Sequence, residues 1–276
     1  MFIDAHHHLW QFDPVEYDWI DDSMQVLKKN FLIKELEKTL YSNGFSSSIV
    51  VQARQSLIET NWLVELAEQN DIIKGVVGWI DLKSSDLAKQ LTTLSKHKKL
   101  VGFRHVIQGE TDPNFMSNPD FIQGLKTLAE FGYRYDLLIY AQQLPAAIGM
   151  LSHVPNLHVV IDHIAKPNIK TGEDFRSWQN NMRTLAKNPR CYCKLSGMVT
   201  EADWQNWTSQ DIQPYMKTVL DLFGAQRIMF GSDWPVCLIA GEYKKVKQLV
   251  LDFITEYAPN AKDRAFGLNA SHFYRV

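Results

Sequence analysis

The sequence predicts a single-domain (β/α)8 barrel spanning residues 1–276. Three observations carry this. Short apolar stretches bounded by polar residues recur eight times along the chain. Amphipathic helical patterns separate each from the next. Several of the stretches are near-continuous apolar runs, the mark of parallel strands buried on both faces. Eight strands alternating with helices over this length suit a closed α/β barrel in one domain. The alternative is an open doubly wound sheet, which calls for a Gly-rich phosphate turn after a strand, and none is present in the sequence.

The predicted strands are 2–8, 48–53, 75–81, 100–107, 135–140, 157–163, 191–196 and 227–233. Residues 33–43 read as a helix closed by Gly44, a C-terminal capping residue. Residues 58–69 put Trp62, Leu63, Leu66 and Ala67 on one face. Helical patterns follow at 85–97, 119–131, 143–152, 174–187, 211–223 and 242–257. Pro145 falls in the first turn of its helix, where a missing N–H is harmless, and Gly132 and Gly224 end two others. Two long irregular stretches, 10–30 and 197–210, follow the first and seventh strands and carry several Trp. In a barrel they overhang the catalytic mouth as lid or substrate wall.

Composition narrows the function classes. With 29 basic and 31 acidic residues and no block of like charge, nucleic acid and anionic membranes are poor partners. No apolar run approaches a membrane span. The N-terminus lacks the pattern of a signal peptide. Three Cys, an odd number, argue against a disulfide framework and fit a reducing cytoplasm. Cys191 and Cys193 read as small core residues. A homo-oligomer is compatible with this composition.

The chemistry gathers at strand ends. The first strand runs into Asp4-Ala5-His6-His7-His8. Alternation along a strand puts His6 and His8 on one face with Asp4 behind them as an acceptor, and His7 on the other. Polar residues also close the other strands: Gln52, Trp79 with Asp81, Arg104 with His105, Tyr140, Asp162 with His163, Lys194 with Ser196, and Ser232 with Asp233. Barrel strand ends aim at a common axis. There His6, His8, His163 and Asp233 make a fair site for one divalent metal ion such as zinc, and equally a fair metal-free acid/base cluster.

Six motifs in order resemble the amidohydrolase superfamily, in its branch of sugar-lactone and dicarboxylate-lactone hydrolases. They are Asp4-Ala5-His6-His7-His8-Leu9-Trp10, Gly102-Phe103-Arg104-His105-Val106-Ile107-Gln108, Asp162-His163-Ile164-Ala165-Lys166-Pro167, Lys194-Leu195-Ser196-Gly197, Gly231-Ser232-Asp233-Trp234-Pro235 and Gly267-Leu268-Asn269-Ala270-Ser271-His272-Phe273-Tyr274. The resemblance covers essentially the whole chain. It implies a (β/α)8 barrel, Asp233 as general base for water, and His6, His8 and His163 as metal ligands or carbonyl polarisers. Binuclear members carry a bridging Lys on the fourth strand and a ligand His on the fifth. Here those positions hold Arg104/His105 and Tyr140, so the resemblance implies one metal ion or none.

The expected reaction is opening of a cyclic ester, a small-molecule lactone. Arg104, His105, Gln52, Trp79, Lys166 and Tyr140 are the candidate substrate-binding residues. A dicarboxylate lactone calls for two or more Arg at the mouth. Only Arg104 is at a strand end, with Arg54 just past the second strand, which points to a neutral sugar lactone such as fuconolactone or rhamnonolactone. The other readings are a dicarboxylate (muconolactone or pyrone) lactonase, a decarboxylase of a related branch, a metal-dependent deoxyribonuclease, and a barrel that binds a sugar acid without turnover. His97, His153 and His158 are assigned no chemistry, and His272 a packing role.

Overall fold

The computed structural model of the chain describes residues 2–276. Eight parallel strands pair in sequence order: β1 (Ile3–His7), β2 (Ser47–Val51), β3 (Ile73–Gly78), β4 (Leu100–Val106), β5 (Arg134–Leu138), β6 (His158–Ile161), β7 (Cys191–Leu195) and β8 (Ile228–Phe230). The backbone closes the ring between first and last strands, with His8 N donating to the Trp234 carbonyl at 2.7 Å and Asp233 N to the His6 carbonyl at 2.8 Å. This is the (β/α)8 barrel the sequence predicts.

Eight helices form the outer layer: α1 (Ile33–Ser42), α2 (Leu57–Gln69), α3 (Leu87–Leu94), α4 (Pro119–Glu130), α5 (Leu144–Ser152), α6 (Phe175–Ala186), α7 (Ser209–Phe223) and α8 (Tyr243–Tyr257). Their ends follow local chemistry. Asn118 caps α4 by accepting from Asp120 N at 2.9 Å, with Pro119 in the first turn. Gly44 and Gly132 end their helices at φ +79°, a conformation that favours glycine.

A ninth helix, α9 (Asn269–Tyr274), was not legible in the periodicity. Its Ala270, Phe273 and Tyr274 pack with Ile3, Ala5, Ile49, Val51, Val77, Val160 and Met229 inside the ring. The Arg134 guanidinium, at the start of β5, donates to the Phe273 carbonyl. The C-terminal helix thereby plugs the barrel at the N-terminal ends of its strands, and the opposite end stays open for chemistry. All three Cys are free and buried, as core residues.

Strict alternation fails in β1, and this corrects one expectation. Asp4 pairs with Ser48 and His7 with Val50, so three steps on β1 match two on β2. Such a bulge flips the facing of everything beyond it. Ala5 and His6 both turn toward the barrel axis, and Asp4 turns outward. Asp4 therefore does not sit behind the imidazoles. Its carboxylate accepts from Ser232 N at 2.9 Å, His6 N at 3.2 Å and the Tyr243 hydroxyl of α8 at 3.0 Å, tying β1 to the segment after β8.

Candidate active site

Asp233 stands at the centre of the open end. Its Oδ1 lies 3.3 Å from His8 Nε2, 3.7 Å from His6 Nε2 and 3.8 Å from His163 Nε2. The two Nε2 atoms of His6 and His8 are 3.2 Å apart. His8 Nδ1 is 2.8 Å from the Val51 carbonyl, which can only accept, so His8 carries a proton on Nδ1. His163 Nδ1 is 2.9 Å from Ser196 Oγ. All four groups the sequence nominated come together.

Strained backbone aims two of them. His163, Ile164, Ala165 and Lys166 have φ of 52°, 50°, 62° and 45°, and Asp233 has 58°. Each non-glycine residue in this region costs about 1–2 kcal/mol. The run at 163–166 is held by Trp178 Nε1 donating to the Ile164 carbonyl at 2.7 Å and Lys166 N to the His163 carbonyl at 2.8 Å. Gly197 completes the seat. A Cβ there would lie 2.4 Å from His163 Nδ1, so only glycine lets the ring approach the strand-seven loop. β6 and β8 accordingly end before the site, at Ile161 and Phe230.

Beneath the imidazoles lies a buried charge network. Lys194 Nζ reaches Asp136 Oδ2 at 2.5 Å, Asp162 Oδ1 at 3.0 Å and His6 Nδ1 at 3.1 Å. Arg104 Nη1 donates to Asp162 Oδ2 at 3.1 Å and Nη2 to the Gln52 carbonyl at 2.5 Å. Gln52 returns its amide N–H to the Arg104 carbonyl at 3.3 Å. The Tyr274 hydroxyl donates to Asp136 at 2.8 Å. Sequence reading noted Asp162 and Lys194 as strand-end polar residues without a role and passed over Asp136. The signal available was a lone Asp inside an otherwise apolar strand.

Burial sets the charge states. It drives His6 well below the ordinary imidazole value, helped by the Lys194 ammonium, and does the same to His163. Burial raises the Asp233 carboxyl, but His163, His8 and Lys166 outweigh it and hold it below the ordinary carboxylate value. Burial likewise opposes ionisation of Asp162, and Lys194 and Arg104 overcome it. Asp136 is pushed up to about 6 by burial, against the pull of Lys194. A carboxylate beside the neutral imidazoles of His6 and His163 is a base with hydrogen-bonding neighbours.

The same atoms satisfy the requirements of a metal site. Ligand atoms of His6, His163 and Asp233 lie within 4.8 Å of one another. The 3.2 Å between His6 and His8 nitrogens is close to the span of two tetrahedral ligands at bond lengths of about 2.0–2.1 Å. This donor set is able to hold one divalent metal ion.

Above the site opens a cavity of about 750 Å³. Its walls include the predicted His8, Arg104, Tyr140, His163, Lys166 and Asp233, with His6 buried just beneath. Three predicted substrate contacts do not line it. Gln52 is buried, clamping Arg104. His105 follows Arg104 on β4 and so faces the opposite way, stacking on Phe115 with centroids 4.8 Å apart and bonding Glu110 at 2.6 Å. Trp79 donates its indole N–H to His105 Nδ1 at 3.3 Å and belongs to that outward cluster. Arg104, although it borders the cavity, has both terminal nitrogens engaged. The two irregular stretches supply walls as expected, through Trp19 and Met24 from one and Thr200, Glu201 and Trp204 from the other. Trp207 instead packs down, donating to the Ala240 carbonyl at 2.7 Å. Cavity residues the sequence did not nominate include Glu16 and Gln55, on loops without a motif, and Gln108, which closes the Gly102–Gln108 motif just after β4.

A barrel with this constellation at its open end is that of a metal-dependent or acid/base hydrolase. The chain belongs to the amidohydrolase family, whose profile matches residues 3–276. It is 38% identical over 257 residues to an L-fucono-1,5-lactonase of Burkholderia multivorans, covering 90% of this chain and 86% of the relative. An L-fucono-1,5-lactonase of Burkholderia ambifaria is 33% identical, with 99% and 95% covered. Among solved structures, an amidohydrolase from Burkholderia multivorans with bound zinc superposes with a TM-score of 0.96 at 36% identity, covering 100% of this chain and 99% of that one.

Proposed function

We propose that the chain hydrolyses a neutral sugar lactone, with L-fucono-1,5-lactone the first substrate to test. The observation that carries this is one ionised carboxylate, Asp233, ringed by three buried imidazoles at 3.3–3.8 Å below a cavity large enough for a sugar ring. Asp233 takes a proton from water as the oxygen attacks the ester carbonyl. Imidazole N–H groups that face the centre stabilise the oxyanion; losing one such donor typically costs about 10²–10³ in turnover. The ester C–O bond then breaks, and Asp233 passes its proton to the leaving ring oxygen. The products are a carboxylate and a free hydroxyl.

The ion we assign to this site is zinc, held by His6, His8, His163 and Asp233. When bound it supplies Lewis-acid polarisation of the carbonyl. The relative with bound zinc and the imidazole-rich donor set both support that choice.

Charge balance in the cavity favours a neutral substrate. Every cation on its wall already has an acidic partner: Arg54 is paired with Glu16, Arg104 with Asp162, and Lys166 with Glu201 at 3.3 Å. A dicarboxylate lactone would have to break such pairs, whereas sugar hydroxyls can share them. Acid release from a panel of aldonolactones and dicarboxylate lactones tests this. Hydrolysis confined to aldonolactones is expected. Preference for a dicarboxylate would overturn the assignment.

A further inference from the structure

The buried network under His6 has the makings of a positioning device. Lys194 has three ammonium protons and three acceptor atoms within 3.1 Å: Asp136 Oδ2, Asp162 Oδ1 and His6 Nδ1. An ammonium can only donate, so a hydrogen bond from Lys194 makes His6 Nδ1 the acceptor nitrogen. A neutral imidazole then carries its proton on Nε2. That N–H faces the centre, where His8 Nε2 is 3.2 Å away and Asp233 Oδ1 3.7 Å away. Two longer contacts oppose the assignment: Asp162 Oδ1, 3.3 Å from His6 Nδ1, would accept from it, and the Arg104 guanidinium, its Nη1 3.4 Å from His6 Nε2, would donate to that nitrogen, so the 3.1 Å Lys194 contact sets the tautomer against both.

Lys194 is itself held from below. Asp136 takes its shortest contact, and the Tyr274 hydroxyl bonds both oxygens of Asp136, at 2.9 and 2.8 Å. All of these side chains are fully or almost fully buried. The chain of contacts therefore runs from the third residue from the C-terminus, through the barrel floor, to an imidazole at the open end.

We propose that Lys194 is a positioning residue that fixes His6 in its Nε2–H tautomer, and that Asp136 and Tyr274 of the C-terminal plug hold Lys194 in the place where it does so. His6 in the metal-free protein is then a hydrogen-bond donor to the oxyanion. A metal ion held by His6 Nε2 would need the other tautomer, with the proton on Nδ1 donating to Asp162 Oδ1 3.3 Å away.

The test is nitrogen NMR of histidine-labelled, metal-free protein, with His6 identified by the signal lost in His6→Gln. The expected wild-type result is a protonated Nε2 and a lone-pair Nδ1 at His6. Lys194→Met should reverse or mix the two. Because that variant leaves the buried Asp136 without a cationic partner and risks misfolding, Tyr274→Phe is the second probe. It removes one hydroxyl and keeps the ring. It should perturb the His6 signals and lower kcat about 10- to 100-fold with KM unchanged, the usual effect of losing an outer partner of a catalytic His. Phe273→Leu, which loosens the same plug but keeps the Tyr274 hydroxyl, should lower Tm without that loss in kcat. A wild-type His6 protonated on Nδ1, or a tautomer indifferent to Lys194→Met, would overturn the proposal, as would equal kcat losses in Tyr274→Phe and Phe273→Leu. The kcat arm rests on the lactone hydrolysis proposed above. The NMR arm does not, so the two can fail separately.

Discussion

Asp233 is the group on which the chemistry turns. It is buried yet held ionised, because the imidazoles of His163 and His8 and the Lys166 ammonium outweigh the cost of burial. Asp233→Asn should lower kcat by about 10³ or more, judged against the cost of losing a single oxyanion donor, while product binding by calorimetry is retained. Loss of both together would mean that the carboxylate mainly holds the site's shape. Lys166 differs in kind. It reaches over the Tyr140 ring at 5.5 Å and pairs with Glu201. Lys166→Met should raise KM several-fold and leave kcat within about threefold, the signature of binding shared by ground and transition states. A pure kcat effect would move Lys166 into the proton-transfer chemistry.

Elements deliver these side chains through departures from regularity, and this decides how much was legible in the sequence. The eight strands, the helices and the barrel were legible because apolar runs and Gly, Pro and Asn caps are local signals. His6, His8, His163 and Asp233 were legible because residue type and strand-end position suffice to nominate them. The orientation of neighbours was less so. The bulge between Asp4 and His7 depends on pairing with β2, and it put Asp4 on the wrong side in a reading by alternation. His105 was grouped with Arg104, although period-two alternation in β4 sends them to opposite faces. Asp136, Lys194 and Tyr274 come from strands and a tail far apart in sequence, and only the closed ring brings them together. The left-handed run at 163–166 yields a local prediction. Gly197→Ala puts a methyl 2.4 Å from His163 Nδ1 at a backbone φ of +60°. It should lower kcat at least tenfold and reduce Tm, through overpacking and backbone strain together. Near-wild-type activity would show that the His163 ring can retreat without consequence.

For the whole molecule, buried ionisable groups oppose one another in pH dependence. Burial pulls His7 down to about 3 and His6 and His163 in the same direction. Their contribution is present above the unfolded value of 6.5 and is lost as pH falls below it. Burial raises Asp4 and Asp136 to about 6 and Glu59 to about 7. The native state takes up their protons first, so these carboxylates add stability as pH falls from about 7 to about 4. Tm should therefore change little between pH 7 and 5. It should fall steeply below about pH 4, where the raised carboxylates are already protonated, His7 is still titrating, and the lowered Asp162 and Asp233 begin to lose their pairing. A steady decline beginning at pH 7 would mean the carboxylates are not sequestered as described. Among the described residues no helix is long and apolar enough to cross a membrane. The most direct measurement of the central claim is acid release from L-fucono-1,5-lactone by the wild-type chain and by Asp233→Asn, each with and without a chelator. The account predicts rapid release by the wild type, slowed where the chelator removes the zinc, and almost none by the variant under either condition. Release that is equal in both proteins, or absent from every lactone offered, would contradict it.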